Sequence, residues 1–177
     1  ESAYASAAND EIEKELSRFT VDDGTADKAV AAGYAHKDTF YIGTGGYDGQ
    51  FSNLKVTGVS ISAKDSQKEA LVDATRVLIT CDDYWCVWKN GAEVTKVTGI
   101  TGSGESVTTQ ENNLTPKYTD DTNKAIAASV SKGRDVTVNV YVFYDGAADT
   151  VYSDNLANLK DCGVTITFEA TPTEHKA

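Results

Sequence analysis

The stretch that decides the fold reads RDVTVNVYVFYDG (134–146), AADTVYSDNLANLKD (147–161) and CGVTITFEA (162–170). In its first and third parts, apolar side chains such as Val138 and Ile166 recur at every second position. A period of two places alternate side chains on opposite faces of a sheet. The pattern therefore predicts two long strands, each with one apolar face that can cover a core.

The polar connection between these two strands is too long for a tight hairpin. It suits a chain that crosses from one sheet to another, as in a β-sandwich or a jelly roll. We therefore expect an all-β jelly-roll or β-sandwich fold with one or two short helices and an N-terminal arm. The length of 177 residues fits one domain. We assign residues 1–9 to the arm and residues 10–177 to a single β-sandwich domain.

The composition argues against two classes of partner. There are 27 acidic and 16 basic residues, which gives a formal charge of -11. Such a field repels nucleic acids and anionic membrane surfaces, so we expect neither as a partner. No apolar run approaches the ~20 residues of a membrane span. The chain begins with Glu1 and contains no Met, which predicts a secreted or cell-surface protein whose signal peptide has been removed.

Two short helices are predicted. Asn9 can cap a helix over residues 10–19, in which Ile12 and Leu16 lie at helical spacing. The second helix covers residues 67–74. Packing onto the domain's own core explains the narrow apolar stripe of the first helix. The alternative is that the whole N-terminal segment belongs to an arm.

Two further stretches predict strands. Residues 40–42 form a short apolar run. Residues 51–63 indicate either a strand pair or a single bulged strand, because the parity of the apolar positions changes at Gly58. Glycine is common at β-bulges, where one strand carries an extra residue.

Cys81, Cys86 and Cys162 are the three cysteines and the disulfide candidates. Three thiols cannot all pair within one chain, so outside the cell we expect one bond and one buried thiol. The sequence leaves the partners open. A bond from the central hairpin to Cys162 would close a much longer loop than a bond within that hairpin.

The register of the central hairpin decides whether its two cysteines can bond. A two-residue turn at 82–83 would place Cys81 opposite Tyr84 and Cys86 opposite Ile79, which leaves the thiols on diagonal positions. A four-residue loop would instead place Cys81 opposite Cys86, at bonding distance. The Asn-Gly pair at 90–91 predicts the next hairpin turn.

No motif for catalysis is present in the sequence. It contains no G-x-S-x-G elbow, no H-E-x-x-H helix and no paired-cysteine zinc knuckle. We therefore expect no enzymatic activity and no cofactor, with calcium as the one candidate ion. Acidic pairs and runs recur in predicted loops, where oxygen ligands could gather, at 22–23, 82–83, 120–121 and 145–154. Turns favour Asp for local hydrogen bonding as well, which is the alternative explanation.

Aromatic side chains raise the question of glycan binding. Flat exposed rings can stack on sugars, and core packing is the competing interpretation, which we favour. The candidates are Tyr47, Tyr84, Trp85, Trp88 and Tyr144.

Two segments resemble a known family. NVYVFYDGAADTVYSDNLANLKDCGVTITFEAT (139–171) is similar to the last portion of Gram-positive secreted proteins of the TasA/camelysin type. ALVDATRVLIT (70–80) resembles the A-x-R-V-x-I strand of that group. The resemblance implies a jelly roll and a role as an extracellular matrix fibre subunit. In such fibres the extended N-terminus of one subunit completes a sheet in the next.

The sequence thus predicts a structural subunit of an extracellular filament, such as a biofilm matrix fibre or a pilus, that pairs with copies of itself by donor-strand complementation. An incomplete sheet edge offers unpaired backbone groups to such a strand. The residues of the inter-subunit arm are Ser2, Ala3, Tyr4, Ala5, Ser6 and Ala7. The alternative is a monomeric secreted adhesin or glycan-binding β-sandwich module for host or matrix glycans. A calcium-dependent accessory domain of an enzyme is a third hypothesis.

Overall fold

The computed structural model describes residues 25–64, 69–101, 108–145, 148 and 162–173. The predicted arm over residues 1–9 and the predicted helix over residues 10–19 lie outside these ranges. The described part contains the helices α1 (Thr25–Ala31) and α2 (Glu69–Ala74). Its strands are β1 (Ala35–Ile42), β2 (Gln50–Ala63), β3 (Thr75–Cys81), β4 (Tyr84–Lys89), β5 (Ala92–Glu93), β6 (Lys96–Thr101), β7 (Thr108–Asn113), β8 (Ala125–Ser131), β9 (Val136–Tyr144) and β10 (Cys162–Thr173).

These strands form three antiparallel sheets. The large sheet has five strands in the order β1-β9-β3-β4-β5, and the small sheet has three in the order β10-β2-β8. β6 and β7 form a separate two-stranded ribbon. The two strands predicted from the 134–170 stretch are β9 and β10. They belong to different sheets, so the predicted crossing between sheets is confirmed.

The large and small sheets pack face to face. Apolar residues from β3, β4 and β9 on one side and from β2 and β8 on the other form one buried cluster. Val77, Ile79 and Val138 are among its fully buried members. Interdigitation of two inner faces is the packing of a β-sandwich. The predicted all-β sandwich fold is therefore confirmed.

β2 is a single bulged strand. Gly58 pairs with Thr167 of β10 and Val56 pairs with Phe168, so Thr57 is the extra residue of the bulge. The bulge reverses which parity faces the core: Val56 is buried before it and Val59 after it. The strand therefore keeps its apolar face toward the core across this bulge, and the bulge predicted at Gly58 is confirmed.

Part of the outer face of the large sheet is covered as well. Ala26 and Val30 of α1 pack against a second buried cluster that includes Leu78 and Tyr141. The sequence did not predict α1, and β1 is longer than the strand expected at residues 40–42. Lys37 of β1 also contacts this helix, because its Nζ donates to Asp27 Oδ1 at 2.8 Å.

Candidate functional site

β10 is the outer strand of the small sheet. It is 12 residues long and is hydrogen-bonded to β2 on one side, with no strand of the described ranges on its other side. Glu169 is its single charged residue. Natural proteins usually protect long edge strands with lysines, bulges or a covering element, because unpaired backbone groups attract other strands. Apart from Pro172 near its end, which has no backbone N–H, β10 has the length and the low charge of a strand-binding edge.

The core-facing side chains of β10 are incompletely covered. Ile166 lies directly opposite Val59 of β2, and Val164 lies opposite Ile61. The β2 partners are 3% and 4% exposed, whereas Val164 and Ile166 remain half-buried although they pack against the same core. Since direct partners point to the same face, the difference arises from their position in the sheet. Among the described residues, the core is therefore incompletely covered along β10.

The large sheet extends past this open side. Phe40 of β1 pairs with Val138 of β9, so both side chains point toward the small sheet. Val138 is 0% exposed and Phe40 is 49% exposed. A phenylalanine on the inner face of a sandwich is normally covered by the opposite sheet. The described part of the small sheet therefore has no strand to cover Phe40.

An apolar depression lies at one end of this open side. It has a volume of ≈ 190 Å³ and opens to solvent. Its lining residues come from β1, β2, β8 and β10 and the loop after β1, and they are Ile42, Gly43, Phe51, Val130 and Ala170. Since Ile42 and Ala170 both line it, the C-terminal parts of β1 and β10 meet there. We call the outer edge of β10, the inner face of β1 and this depression together the β10 groove.

The opposite outer strand, β8, is better covered than β10: four of its seven residues are buried, whereas no residue of β10 is. β8 pairs with β2 only as far as Lys55. Beyond that point the turn between β4 and β5 covers the edge of β2: Gly91 N donates to Val59 O at 2.8 Å, and Ile61 N donates to Asn90 Oδ1 at 2.9 Å. Gly91 has a φ of +74°, which favours glycine. The predicted Asn-Gly turn thus covers the edge of β2 beyond the end of β8, whereas no described strand or turn pairs with the outer edge of β10.

The three cysteines are free thiols in the structure, which corrects the expected disulfide. The turn at 82–83 is the two-residue form, so Cys81 faces Tyr84 and Cys86 faces Ile79. Diagonal positions on adjacent strands do not give bonding geometry, which explains why Cys81 and Cys86 are unbonded. Cys162 lies in the other sheet and packs against the same core.

The thiols of Cys81 and Cys86 are expected to be unreactive at neutral pH. Burial raises the pKa of Cys86 to about 12 and that of Cys81 to about 11. The thiolate is the reactive form of cysteine, and it is scarce at neutral pH when the pKa is so high. These residues therefore serve packing and do not form a nucleophilic site.

A polar cluster that the sequence did not predict lies beside Cys86. The Tyr118 hydroxyl donates to one carboxylate oxygen of Glu93, and Lys124 Nζ donates to the other. Burial, followed by the hydrogen bond to Glu93, raises the pKa of Tyr118, so the phenol stays protonated. Trp88 Nε1 donates to Cys86 Sγ at 3.3 Å. Each of these groups has a partner, so the cluster ties β5 to the segment that precedes β8 and offers no poised acid or base.

The predicted aromatic platform does not form a single surface. Trp85 and Tyr144 are each 8% exposed, and they belong to different buried clusters. Trp88 packs against the core between the sheets. Tyr47 is 38% exposed, and its ring contacts Phe51 at a centroid distance of 5.2 Å. Most of these rings therefore fill the interior, as the core interpretation predicts.

The acidic loops of the described ranges do not assemble into a cluster of metal ligands. Within the described ranges, no three His, Cys, Asp or Glu side chains converge into a group that could hold a metal ion. Asp120 accepts hydrogen bonds from Thr122 N at 2.9 Å and Asn123 N at 3.3 Å. This carboxylate therefore stabilises its own turn. The acidic pair at 22–23 and most of the acidic segment 145–154 lie outside the described ranges.

The predicted arm residues Ser2, Ala3, Tyr4, Ala5, Ser6 and Ala7 lie outside the described ranges, so their placement stays a prediction.

Comparison with protein-family models, with curated proteins and with solved structures found no match. The helices within the described ranges are too short or too polar to cross a membrane. Because its core-facing side chains are incompletely covered, the β10 groove is the feature of the described structure that points most directly to a function.

Proposed function

We propose that the protein is a structural subunit of an extracellular filament whose copies join by strand addition. Residues 1–9 of one subunit pair with the outer edge of β10 in the next and cover the β10 groove. The observation that carries this proposal is the half-exposed, core-facing row of β10 beside an edge with no neighbour among the described strands. The role requires no catalysis.

Strand addition at this edge is favourable for two physical reasons. An added strand satisfies the outward backbone groups of β10 through ladder hydrogen bonds. It also covers Val164, Ile166 and Phe168, which are half-buried, and Phe40, which is 49% exposed. Full burial of such side chains contributes about 1.5–3 kcal/mol each, so the remaining exposed parts contribute on the order of 1 kcal/mol each. Together with the ladder, these terms oppose the entropy cost of association.

The arm has a composition suited to this role. Residues 1–9 read ESAYASAAN and contain neither Pro nor Gly. At ~3.3 Å per residue, nine extended residues span about 30 Å. β10, with 12 residues, spans about 40 Å at the same rise and is long enough to pair with the whole arm. Small side chains let the arm approach closely, and one terminal acidic residue leaves most of it uncharged.

Deletion of residues 1–9 tests the proposal. The shortened protein should remain folded by circular dichroism but fail to form filaments by electron microscopy under conditions in which the full chain assembles. Filaments from the deleted protein would contradict the proposal. If the full chain itself formed no filaments, the alternative of a monomeric adhesin would be favoured.

A matched pair of substitutions tests the acceptor edge. Ile166→Lys places a charge in the β10 groove, whereas Thr165→Lys places the same charge on the exposed face of the same strand. We expect only Ile166→Lys to prevent assembly. Thermal melting of both monomers checks that neither substitution unfolds the domain. Normal assembly by a folded Ile166→Lys protein would exclude β10 as the acceptor.

A further inference from the structure

The apolar depression at one end of the β10 groove is larger than an alanine or serine side chain can fill. Its volume is ≈ 190 Å³, and its five lining residues carry no charge. Phe51 supplies an aromatic wall, and its ring contacts that of Tyr47 at a centroid distance of 5.2 Å. A flat apolar ring with a polar tip suits a site of this kind, because the ring fills the space while the tip stays in water.

Tyr4 is the single aromatic residue among residues 1–9, and the rest are Ala, Ser, Glu and Asn. We propose that Tyr4 is the anchor of the arm and that its ring occupies the depression of the neighbouring subunit. This inference rests on the proposed function. Tyr4 then sets the register of the arm along β10, and the depression is the site that receives its ring.

The position of the depression also determines the direction of the arm. Ala170 lies near the C-terminal end of β10, which stops at Thr173. An arm parallel to β10 with Tyr4 at Ala170 would leave the strand within about three further residues. An antiparallel arm continues toward Cys162 and keeps its whole length paired. The antiparallel direction therefore follows from Tyr4 as the anchor.

This register assigns the faces of the arm. With Tyr4 level with Ala170, Ser6 lies level with Phe168 and Ala8 lies level with Ile166. Even-numbered residues then face the groove, because alternate side chains point to opposite faces. Ala3, Ala5 and Ala7 face outward, and conservative changes at these positions should leave assembly intact.

The test uses the full chain with substitutions at Tyr4, and filament growth is followed by light scattering and electron microscopy. The readout is the concentration of protein that stays unassembled at equilibrium. Tyr4→Ala should raise this concentration about tenfold or more, as expected for loss of a buried aromatic ring. Tyr4→Phe should remain within about threefold of the unsubstituted chain, since it keeps the ring. Ala5→Ser, on the outward face, is the matched control and should have no effect.

A substitution in the depression gives an independent check. Ala170→Leu fills the depression from the receiving side, and Ala170 is only half-buried, so the monomer should melt as before. We expect the same rise in unassembled protein as for Tyr4→Ala. Combining the two should add little, because two changes at one contact are not additive. Full additivity would show that Tyr4 does not occupy the depression.

The outcomes separate the anchor from the proposed function. If Tyr4→Ala assembles normally while deletion of residues 1–9 abolishes filaments, the anchor is wrong and strand addition stands. If the deleted protein also assembles, strand addition itself is wrong and the anchor fails with it. A loss with Tyr4→Ala that Tyr4→Phe restores, together with normal assembly by Ala5→Ser, supports the anchor.

Discussion

Phe40 and Val138 are direct partners across β1 and β9 and point to the same side of the sheet, yet Val138 is fully buried and Phe40 is 49% exposed. The sheet that should cover both reaches only one of them. The difference locates the open side of the sandwich, and the incomplete burial along β10 locates it independently. A protein with this geometry can gain burial by accepting one more strand.

The first prediction compares these two residues in the monomer. Val138→Ala should lower the free energy of unfolding by about 2 kcal/mol, because it leaves a cavity in a packed core. Phe40→Ala should change it by less than about 1 kcal/mol, since much of the ring already contacts water. Urea unfolding of unassembled protein measures both. Equal losses for the two variants would show that Phe40 is covered in the monomer.

The second prediction concerns the Glu93 carboxylate, whose side chain is 10% exposed and accepts hydrogen bonds from Tyr118 and Lys124. Tyr118→Phe removes the hydroxyl group that donates to Glu93 Oε1 and leaves this buried oxygen without that hydrogen bond. We expect a loss of about 1–2 kcal/mol in the free energy of unfolding. Tyr41→Phe is the control, because Tyr41 is 72% exposed. A similar small effect for both variants would contradict the structural role of the cluster.

The third prediction is a pH dependence at the contact between α1 and the large sheet. The hydrogen bond from Lys37 holds the pKa of Asp27 below its usual value of 3.8, with a smaller contribution from Tyr141. A carboxyl group whose pKa is lower in the folded than in the unfolded state stabilises the fold above pH ~4. This contribution is lost as the pH falls through the pKa of the folded state. The difference in melting temperature between the unsubstituted protein and Asp27→Asn should therefore shrink between pH 5 and about pH 3. A difference that grows on acidification would contradict this sign.

The fourth prediction concerns thiol reactivity. At pH 8 the native protein should react at Cys162, which is half-buried, while Cys81 and Cys86 stay protected by burial and by their raised pKa values. Alkylation followed by peptide mass spectrometry identifies the labelled positions. All three should react after unfolding without reductant. A requirement for reductant would show that a disulfide forms after all.

Local patterns predicted much of this fold. The period of two in β9 and β10, the bulge at Gly58 and the turn at 90–91 all depend on neighbours in sequence, so the sequence could indicate them. For the turn at 82–83 it left two registers open. The two-residue form gives one continuous apolar face, and the structure shows that this form is present.

The candidate site could not be predicted in the same way. Periodicity showed that Ile166 and Phe168 face the core, but not that the opposite sheet leaves them partly uncovered. That property depends on strand order, which arises from contacts between residues far apart in sequence. The contact of Tyr118 with Glu93 is long-range for the same reason. Helix α1 was missed because its seven residues, TADKAVA, carry too short an apolar stripe.

The most direct test of strand addition is to identify which subunit the arm contacts in the filament. Filaments grown from an equal mixture of 15N-labelled and unlabelled chains, each with a photo-cross-linker at position 5, would be irradiated and digested. Strand addition between subunits predicts cross-links from the arm to β10 peptides, about half of which join a labelled to an unlabelled chain. Cross-links to β10 exclusively within chains of the same label would contradict it, because the arm would then complete its own sheet.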